Sequence, residues 1–405
     1  MAVTGEDNDL QTTVSVIDGK VSLRDSAATF ILSLTNNEQA VVTLGQPPRR
    51  TAGFIANNLL QWCFYYPGIL DLKDLSLSSD EQNALRESLA AYRSGDLLAA
   101  LAAYPEERKS TSKAEDLYHA ALLLSVGQVL PVQESMAAIA KQEPSSRNGR
   151  IGAAFSTLIA SVWQEEGRSS LDPQFATELL AASYYEQSRA TAGTSLQNAL
   201  KLARRATIVS PEFGFAWERV AELEFSFGRI DRALEALSRS LELSPRNAQA
   251  LALKGFLLAA QNRTRDAIGW FDQALAIDSA LGNAWLGRGL CRIRHGNRVE
   301  GREDLLVATA LEPQRAIFRS YLGKAWSDAG DDEHARKELG LARGLDPNDP
   351  TSWLYSALNH QRRNRVNEAV RDLEQSQRLN DNRSVYRSRL LLDQDRAVRS
   401  TSLAS

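Results

Sequence analysis

The sequence predicts a mainly all-α protein: a right-handed α-solenoid of stacked helical hairpins, preceded by a small antiparallel β-module. Three observations predict this fold class. Residues 211–380 repeat a pattern of large, small and helix-breaking residues, residues 11–44 alternate between apolar and polar as strands do, and the apolar residues after Ser79 follow a helical period. A short β-part and a much longer helical part are therefore expected.

Residues 211–380 repeat in a fixed register with a period of 34, counted from Gly214 as position 1. Position 4 holds Trp217, Leu251, Trp285, Arg319 and Trp353. Position 8 is always small: Ala221, Gly255, Gly289, Gly323 and Ala357. Position 20 is small as well: Ala233, Ala267, Gly301, Ala335 and Ala369. Position 24 is large and apolar: Leu237, Phe271, Leu305, Leu339 and Leu373. Position 32 stops or starts helices: Pro245, Ser279, Pro313, Pro347 and Asp381.

This register resembles the tetratricopeptide repeat (TPR), a helix–turn–helix unit of 34 residues. A helix buries an apolar stripe only against a partner, so the two helices of each repeat are expected to pack antiparallel. Small residues at positions 8 and 20 would let the two backbones approach closely. The turn between the helices needs a residue that tolerates positive φ, and this place holds Gly228, Asn262, Gly296, Gly330 and Asn364.

The composition excludes several classes of function. The chain has 405 residues and a net charge of −3, so no basic excess indicates nucleic-acid binding. No run of about 18 apolar residues encodes a transmembrane helix, and the N-terminal residues do not form a signal peptide. Cys63 and Cys291 lie far apart and have no metal-ligand spacing.

Residues 1–50 are predicted to form the β-module. Strands are expected at residues 13–17 and 20–23, joined as a hairpin by Asp18-Gly19, and at residues 30–34 and 40–44, as half of a small sandwich. The run from Val14 to Leu23, with the strand at residues 37–42, resembles the C-terminal part of a FecR-type domain. That resemblance implies an extracytoplasmic β-module of a signalling regulator.

The rest of the chain divides into four predicted parts. Residues 51–78 form an aromatic linker. The aromatic side chains around Trp62 are either a binding platform or a cluster buried where the β-module joins the first helix. Residues 79–170 form degenerate helical repeats, and residues 171–382 form the TPR solenoid. Residues 383–405 form a C-terminal helix that nothing caps. Because this helix is uncapped and the β-module incomplete, we expect the chain to be cut at one or both ends.

The combination of these parts resembles large bacterial proteins that join a FecR-like module to TPRs, in which an outer-membrane β-barrel sometimes follows. The resemblance implies a periplasmic or cell-envelope location, with the cytoplasm as the alternative. It implies no direct insertion of this chain into a membrane.

The sequence contains no pattern that indicates catalysis. The four histidines, at 119, 295, 334 and 360, share no helix face, and no nucleophile elbow, phosphate-binding loop or metal-binding motif is present. Gly287-Arg288-Gly289 lies inside a repeat helix with no strand before it, which favours a packing role. We therefore predict no enzyme, no cofactor and no metal.

The remaining function is recognition of a protein or peptide partner. In the TPR pattern the first helices line a concave groove through positions 2, 5, 9, 12 and 13. The candidate partner-binding residues at these positions are Phe215, Glu218, Glu222, Phe225, Phe256, Asn283, Leu290, Arg294, Lys324, Leu358, Gln361 and Arg362. The groove is thus expected to be mostly apolar, acidic at one end and basic at the other. Leu290 and Leu358 either anchor the ligand or simply pack on neighbouring helices.

Three functions stay open from the sequence. The first is a non-catalytic scaffold that binds a peptide or a partner surface in this groove. The second is a FecR-like regulator in which the β-module senses a signal and the repeats relay it, by analogy of fold alone. The third is the TPR arm of a larger outer-membrane protein.

Overall fold

A computed structural model describes two compact units, at residues Met1–Asn58 and Leu59–Ser405. In the first unit the described residues are six strands. In the second they are residues 67–163, 172–188 and 193–379. The predicted aromatic linker before Pro67 and the predicted C-terminal helix at 383–405 lie outside the described residues.

The six strands of the first unit form two antiparallel sheets. The strands are β1 (Ala2–Gly5), β2 (Gln11–Val16), β3 (Val21–Arg24), β4 (Ile31–Leu34), β5 (Glu38–Thr43) and β6 (Arg49–Arg50). One sheet has the order β1-β2-β5-β6, with Val14 opposite Ala40, and the other pairs β3 with β4. Val21, Leu23 and Leu32 of the smaller sheet pack against the fully buried Ala40.

The predicted hairpin across Asp18-Gly19 is wrong, because β2 pairs with β1 and β5 and not with β3. The β2–β5 ladder spans six residue pairs, whereas β3 has only four residues. The longer ladder satisfies more backbone groups, and it leaves the β3–β4 pair to cover the apolar side of β5. Alternation in the sequence located these strands but carried no information about which strands pair.

The described part of the second unit contains eighteen α-helices after a short 3-10 helix at Leu72–Asp74. They are α1 (Ser79–Ala84), α2 (Arg86–Ser94), α3 (Leu97–Ala102), α4 (Lys113–Ser125), α5 (Val129–Gln142), α6 (Arg147–Trp163), α7 (Ala176–Ser188), α8 (Gly193–Val209), α9 (Gly214–Ser226), α10 (Ile230–Leu243), α11 (Ala248–Ala260), α12 (Thr264–Ile277), α13 (Gly282–Arg294), α14 (Arg298–Leu311), α15 (Ala316–Asp328), α16 (Asp332–Leu345), α17 (Pro350–Arg362) and α18 (Val366–Arg378). The predicted fold class is therefore confirmed.

From α9 onward, each 34-residue period is one helical hairpin, from α9/α10 to α17/α18. The turn inside each hairpin contains a residue with positive φ, as predicted. These residues are Gly228 (73°), Asn262 (64°), Gly296 (104°), Gly330 (82°) and Asn364 (57°). The helix α8 packs against α7 as the second helix of a preceding hairpin, which agrees with its place in the register. The turn chemistry and the helix boundaries therefore follow from the repeat.

The small residues at positions 8 and 20 lie where the two helices of a hairpin touch. A Cβ atom added to Gly289 would lie 2.7 Å from the carbonyl oxygen of Gly301, and one added to Gly301 would lie 2.6 Å from that of Gly289. In the next hairpin a Cβ atom on Gly323 would lie 2.7 Å from Cγ of Leu339. Real Cβ atoms do not approach other atoms so closely, so these positions are small for a steric reason.

In four of the five repeats, the side chain at position 4 bonds to the segment that joins its hairpin to the one before, whereas the second repeat has Leu251 there. The indole N–H of Trp285 donates to the carbonyl oxygen of Ser279 (2.8 Å), and Trp217 makes the same bond to Pro211 (2.9 Å). The guanidinium of Arg319 replaces the indole and donates to Pro313 (2.8 Å). Trp or Arg occupies these four places because each brings an N–H on a long flat side chain to the carbonyl oxygen at position 32, in the turn before its own hairpin.

We expect Gly289→Ala to lower the free energy of unfolding by about 1–3 kcal/mol, because its methyl group meets backbone that cannot move aside. The matched control is Gly269→Ala on the exposed side of α12, where an added Cβ meets no atom within 4 Å. That change should stabilise the helix by up to about 1 kcal/mol. Urea unfolding measures both. Equal effects of the two substitutions would contradict the helix contact at Gly289.

Candidate functional site

The concave positions of the five repeats differ in accessibility between the two ends of the solenoid. In the first two repeats, Phe215, Phe225 and Phe256 are 5%, 6% and 4% exposed. In the last three repeats, Leu290 and Leu358 are half-buried. Three of the predicted aromatic contacts are therefore core residues, and their surface is not available to a ligand.

Phe256 is buried because it faces the second helix of its own hairpin. Its ring meets that of Phe271 edge to face, with 4.9 Å between the centroids. Phe271 occupies position 24, whose large side chain fills the space that Gly255 leaves open. Repeat position alone predicted a groove residue, but Gly287 of the next hairpin leaves room for this ring, since a Cβ atom there would lie 2.8 Å from it. Phe225 belongs to the same buried cluster.

Phe215 is buried for a different reason: the N-terminal helices of the same unit cover it. The ring of Tyr92, on α2, packs near that of Phe215, with 5.6 Å between the ring centroids. A Cβ atom on Gly68 would lie 2.8 Å from the Phe215 ring. Tyr92 is held in turn, because its hydroxyl donates to the carbonyl oxygen of Leu70 (2.8 Å). The α2–α3 hairpin thus packs on the first helix of the first clear repeat.

Polar contacts fix the N-terminal segment, from the 3-10 helix to the turn after α2, against later parts of the unit at two further places. At the turn after α2, Arg246 bonds to Asp96 (2.8 Å), and its amide donates to the carbonyl oxygen of Ser94 (2.8 Å). Near the start of the unit, the Thr177 hydroxyl of α7 donates to the buried carboxylate of Asp74 (2.7 Å). These bonds join segments that are more than a hundred residues apart in sequence. They anchor the N-terminal helices over one end of the predicted groove.

The two acidic candidates, Glu218 and Glu222, already have partners within the chain. Glu218 accepts a hydrogen bond from the side chain of Asn247 (2.6 Å). Glu222 pairs with Arg219 (2.7 Å), which is 1% exposed and lies over the ring of Tyr184, with 3.8 Å from its guanidinium carbon to the ring centroid. The predicted acidic end is therefore a set of structural ion pairs and hydrogen bonds.

The other candidates, on α13, α15 and α17, are half-buried or exposed, and we refer to these residues and their half-buried neighbours together as the C-terminal groove. Its apolar part is Leu290, Leu358 and their half-buried neighbours Ile293 and Ile317. Its polar part combines half-buried Asn283 and Lys324 with exposed side chains, namely Arg294, Gln361 and Arg362. Apolar side chains and hydrogen-bond donors thus occupy the same set of repeat positions.

Asp328 links two cations of the C-terminal groove. Its carboxylate accepts from Lys324 (2.9 Å), one turn away, and from Arg362 on the next first helix (2.5 Å). Partial burial disfavours the charged carboxylate, but the hydrogen bonds and charges of Lys324 and Arg362 outweigh it and lower the pKa of Asp328. The carboxylate therefore stays charged and holds both cations in place.

Asn359 belongs to this cluster, and the concave positions did not predict it. Its side-chain oxygen accepts from the Ser327 hydroxyl (3.2 Å), which in turn accepts from Arg362 (3.3 Å). Asn359 is at position 10, where the other repeats have Leu223, Leu257, Cys291 and Ala325. A polar residue at an otherwise apolar position was the signal in the sequence.

The groups that could support catalysis are dispersed over the described residues. His119 stacks on Tyr104, His334 bonds to Asp331 (2.8 Å), and burial raises the pKa of Cys291 to about 11. No group of metal-ligating residues occurs within the described ranges, and none of their helices is long and apolar enough to span a membrane.

Comparisons with known proteins support the fold. No model of a known protein family matches the sequence, and neither does any curated protein. The FecR resemblance therefore remains a prediction from the sequence. Among solved structures, the chain is similar to a chain of the APC/C hetero-tetramer Cut9–Hcn1, at 16% identity and a TM-score of 0.50, over 79% of this chain and 56% of that one.

Further solved structures are similar over smaller parts. One is a tetratricopeptide repeat protein from Parabacteroides merdae, at 16% identity and a TM-score of 0.43, over 64% of this chain and 98% of that one. Another is YrrB, described as a TPR protein with an unusual peptide-binding site, at 18% identity and a TM-score of 0.33, over 44% and 91%. With the repeat geometry, the Cut9–Hcn1 similarity identifies the fold as a TPR-type α-solenoid.

We expect Phe256→Ala to lower the free energy of unfolding by about 3–5 kcal/mol, because it removes a ring from a closed core. Lys324→Ala, at another predicted groove residue, should change it by less than about 1 kcal/mol, because it removes one half-exposed ion pair. Chemical denaturation of both variants measures the difference. A Phe256→Ala protein as stable as the parent would mean that this side chain does not pack in the core.

Proposed function

We propose that this chain is a non-catalytic scaffold that binds an acidic, extended peptide segment of a partner protein in the C-terminal groove. The fold supports a role in recognition, since stacked hairpins present a long concave surface. No cofactor and no nucleic acid are part of this proposal.

The observation that carries the proposal is the charge at the concave positions of the last three repeats. These positions contain three cations, Arg294, Lys324 and Arg362, and one carboxylate, Asp328, which leaves a surplus of two positive charges. The chain as a whole has a net charge of −3, so this local surplus opposes the overall balance. A groove of one charge sign attracts a segment of the opposite sign.

The apolar side chains beside these cations define what else the segment needs. Position 9 holds Leu290, Lys324 and Leu358 in the third, fourth and fifth repeats. A ligand with a carboxylate between two apolar residues would match all three. Asn283 and Gln361 can bond to the backbone of an extended peptide through their amide groups. The first two repeats are not part of the site, since Phe215 is covered and Phe256 is buried.

Asp328 has a specific role in this proposal. It already neutralises part of the charge of Lys324 and Arg362, so a ligand carboxylate competes with it for the same donors.

The proposed setting is the bacterial cell envelope. That part of the proposal rests on the sequence resemblance, and fractionation of the producing cells distinguishes it from the cytoplasmic alternative.

A random peptide library displayed on phage tests the binding proposal. Selection should enrich acidic sequences, and a synthetic peptide of the enriched sequence should bind more weakly to Lys324→Glu and Arg294→Glu, with a lower on-rate and a smaller dependence on salt. Asp328→Asn should bind it more tightly, because its two cations become available.

The matched control is Arg239→Glu, which reverses an exposed charge on the second helix α10. It should bind the peptide as the parent does. Enrichment of basic or uncharged sequences would contradict the proposal. So would a peptide whose affinity falls with Arg239→Glu and not with the two groove variants.

A further inference from the structure

One segment of the chain contacts three successive hairpins, although a hairpin of a helical solenoid ordinarily contacts only its neighbours. This segment comprises residues 68–96, from the residues before the 3-10 helix to the turn after α2, and we call it the strap. It meets α7, α9 and α11 at the start of each helix. These are the first helices of the hairpins α7/α8, α9/α10 and α11/α12.

At α7 the strap is bonded to Thr177, the second residue of that helix. The Thr177 hydroxyl accepts from the amide of Asp71 (3.0 Å) and donates to the carboxylate of Asp74 (2.7 Å). The Thr177 amide donates to the same carboxylate oxygen (3.0 Å). All three residues are buried, so a shift of the strap along α7 would leave buried polar groups unpaired.

At α9 the strap packs against Phe215, which is again the second residue of the helix. The Tyr92 ring packs near that of Phe215, and an added Cβ atom on Gly68 would lie 2.8 Å from the same ring. The Tyr92 hydroxyl also donates to the carbonyl oxygen of Leu70 (2.8 Å). The two ends of the strap are therefore bonded to each other where they pack on α9.

At α11 the strap contacts backbone. The amide of Arg246 donates to the carbonyl oxygen of Ser94 (2.8 Å). An added Cβ atom on Gly95 would lie 2.7 Å from the amide nitrogen of Asn247, which is the N-cap of α11. Gly95 also has a positive φ of 91°. This position requires glycine for two reasons, namely the turn conformation and the close approach of the two backbones.

We propose that the strap is a clamp that fixes the angles between the hairpins α7/α8, α9/α10 and α11/α12, and that the solenoid bends in the repeats that follow. A change in the angle between two hairpins moves the starts of their first helices relative to one another. The strap opposes this movement because it is bonded to all three starts at once. In the later repeats, bonds such as that of Arg362 on α17 with Asp328 on α15 join neighbouring hairpins. The clamp does not depend on which ligand the C-terminal groove binds.

Gly95→Ala tests the clamp, because its methyl group meets the backbone of Asn247 and must push the strap away from α11. The matched control is Gly228→Ala, in the turn between α9 and α10. The φ of Gly228 is 73°, and an added Cβ atom there meets no atom within 4 Å. Both substitutions place a side chain at a positive φ, so the local strain is common to both, and only Gly95→Ala disturbs the strap.

Distances between two spin labels, measured by double electron–electron resonance on the full chain, report the angles between hairpins. Labels at Lys201 and Gly269 (the strapped pair) span the clamped hairpins, and labels at Glu303 and Arg371 (the later pair) span three later ones. All four sites are exposed and occupy position 22 of the repeat register. Alanine replaces both native cysteines in every sample, so that labels attach only at the chosen sites.

The parent should give a narrower distribution of distances for the strapped pair than for the later pair. Gly95→Ala should broaden the distribution of the strapped pair and leave that of the later pair unchanged, whereas Gly228→Ala should change neither. A strapped pair as broadly distributed as the later pair in the parent would overturn the proposal. Equal effects of the two glycine substitutions would overturn it as well.

Thr177→Val provides a second arm at α7, and it decides the question if Gly95→Ala does not fold. It keeps the shape of the side chain and removes the hydroxyl that joins Asp71 to Asp74. Its control is Thr309→Val, which removes a buried hydroxyl bonded inside α14. Thr177→Val should broaden the distribution of the strapped pair, and Thr309→Val should not. The same distribution in both variants would mean that the strap does not hold these hairpins.

Discussion

The close approach of two helices within each repeat is the constraint on which the helical unit depends. At Gly289 and Gly301 the backbones come so near that neither position can hold a Cβ atom. This contact sets the spacing of the hairpin, and the spacing sets how the large residue at position 24 fills the remaining space. In four of the five repeats, an indole or guanidinium at position 4 also bonds to the turn that joins its hairpin to the one before. The solenoid therefore repeats one local contact, and each hairpin is stabilised mostly by the hairpins next to it.

Contacts that are remote in sequence impose a second constraint and divide the concave side in two. The N-terminal helices return onto α7, α9 and the turn before α11, where Tyr92 meets Phe215 and Asp74 meets Thr177. One end of the concave side is thereby used for folding. The other end keeps half-buried leucines and surplus positive charge, which are the properties a ligand can use. The same rows of repeat positions thus differ along the chain: the N-terminal helices cover Phe215 at one end, and half-buried or exposed side chains occupy the other.

The sequence predicted what depends on the local repeat and missed what depends on remote contacts. Turn residues such as Asn262 and the contact at Gly289 could be predicted, because backbone conformation and close approach select particular residue types. The burial of Phe215 could not, because Tyr92 lies more than a hundred residues earlier. The strand pairing in the β-module was wrong for a related reason: alternation fixes which face a residue takes and not which strand lies beside it. Lys324 and Arg362 were found, but their link through Asp328 needed the structure.

The central claim is that the chain's own helices occupy one end of the concave side and leave the other for a partner. Hydrogen exchange of the full chain, with and without an acidic peptide selected for binding, measures this most directly. The account predicts slower exchange in α13, α15 and α17 when the peptide is bound, with α2, α9 and α11 unchanged. Slower exchange in α9 and α11, together with faster exchange in α2, would show the peptide displacing the N-terminal helices, and would contradict the account.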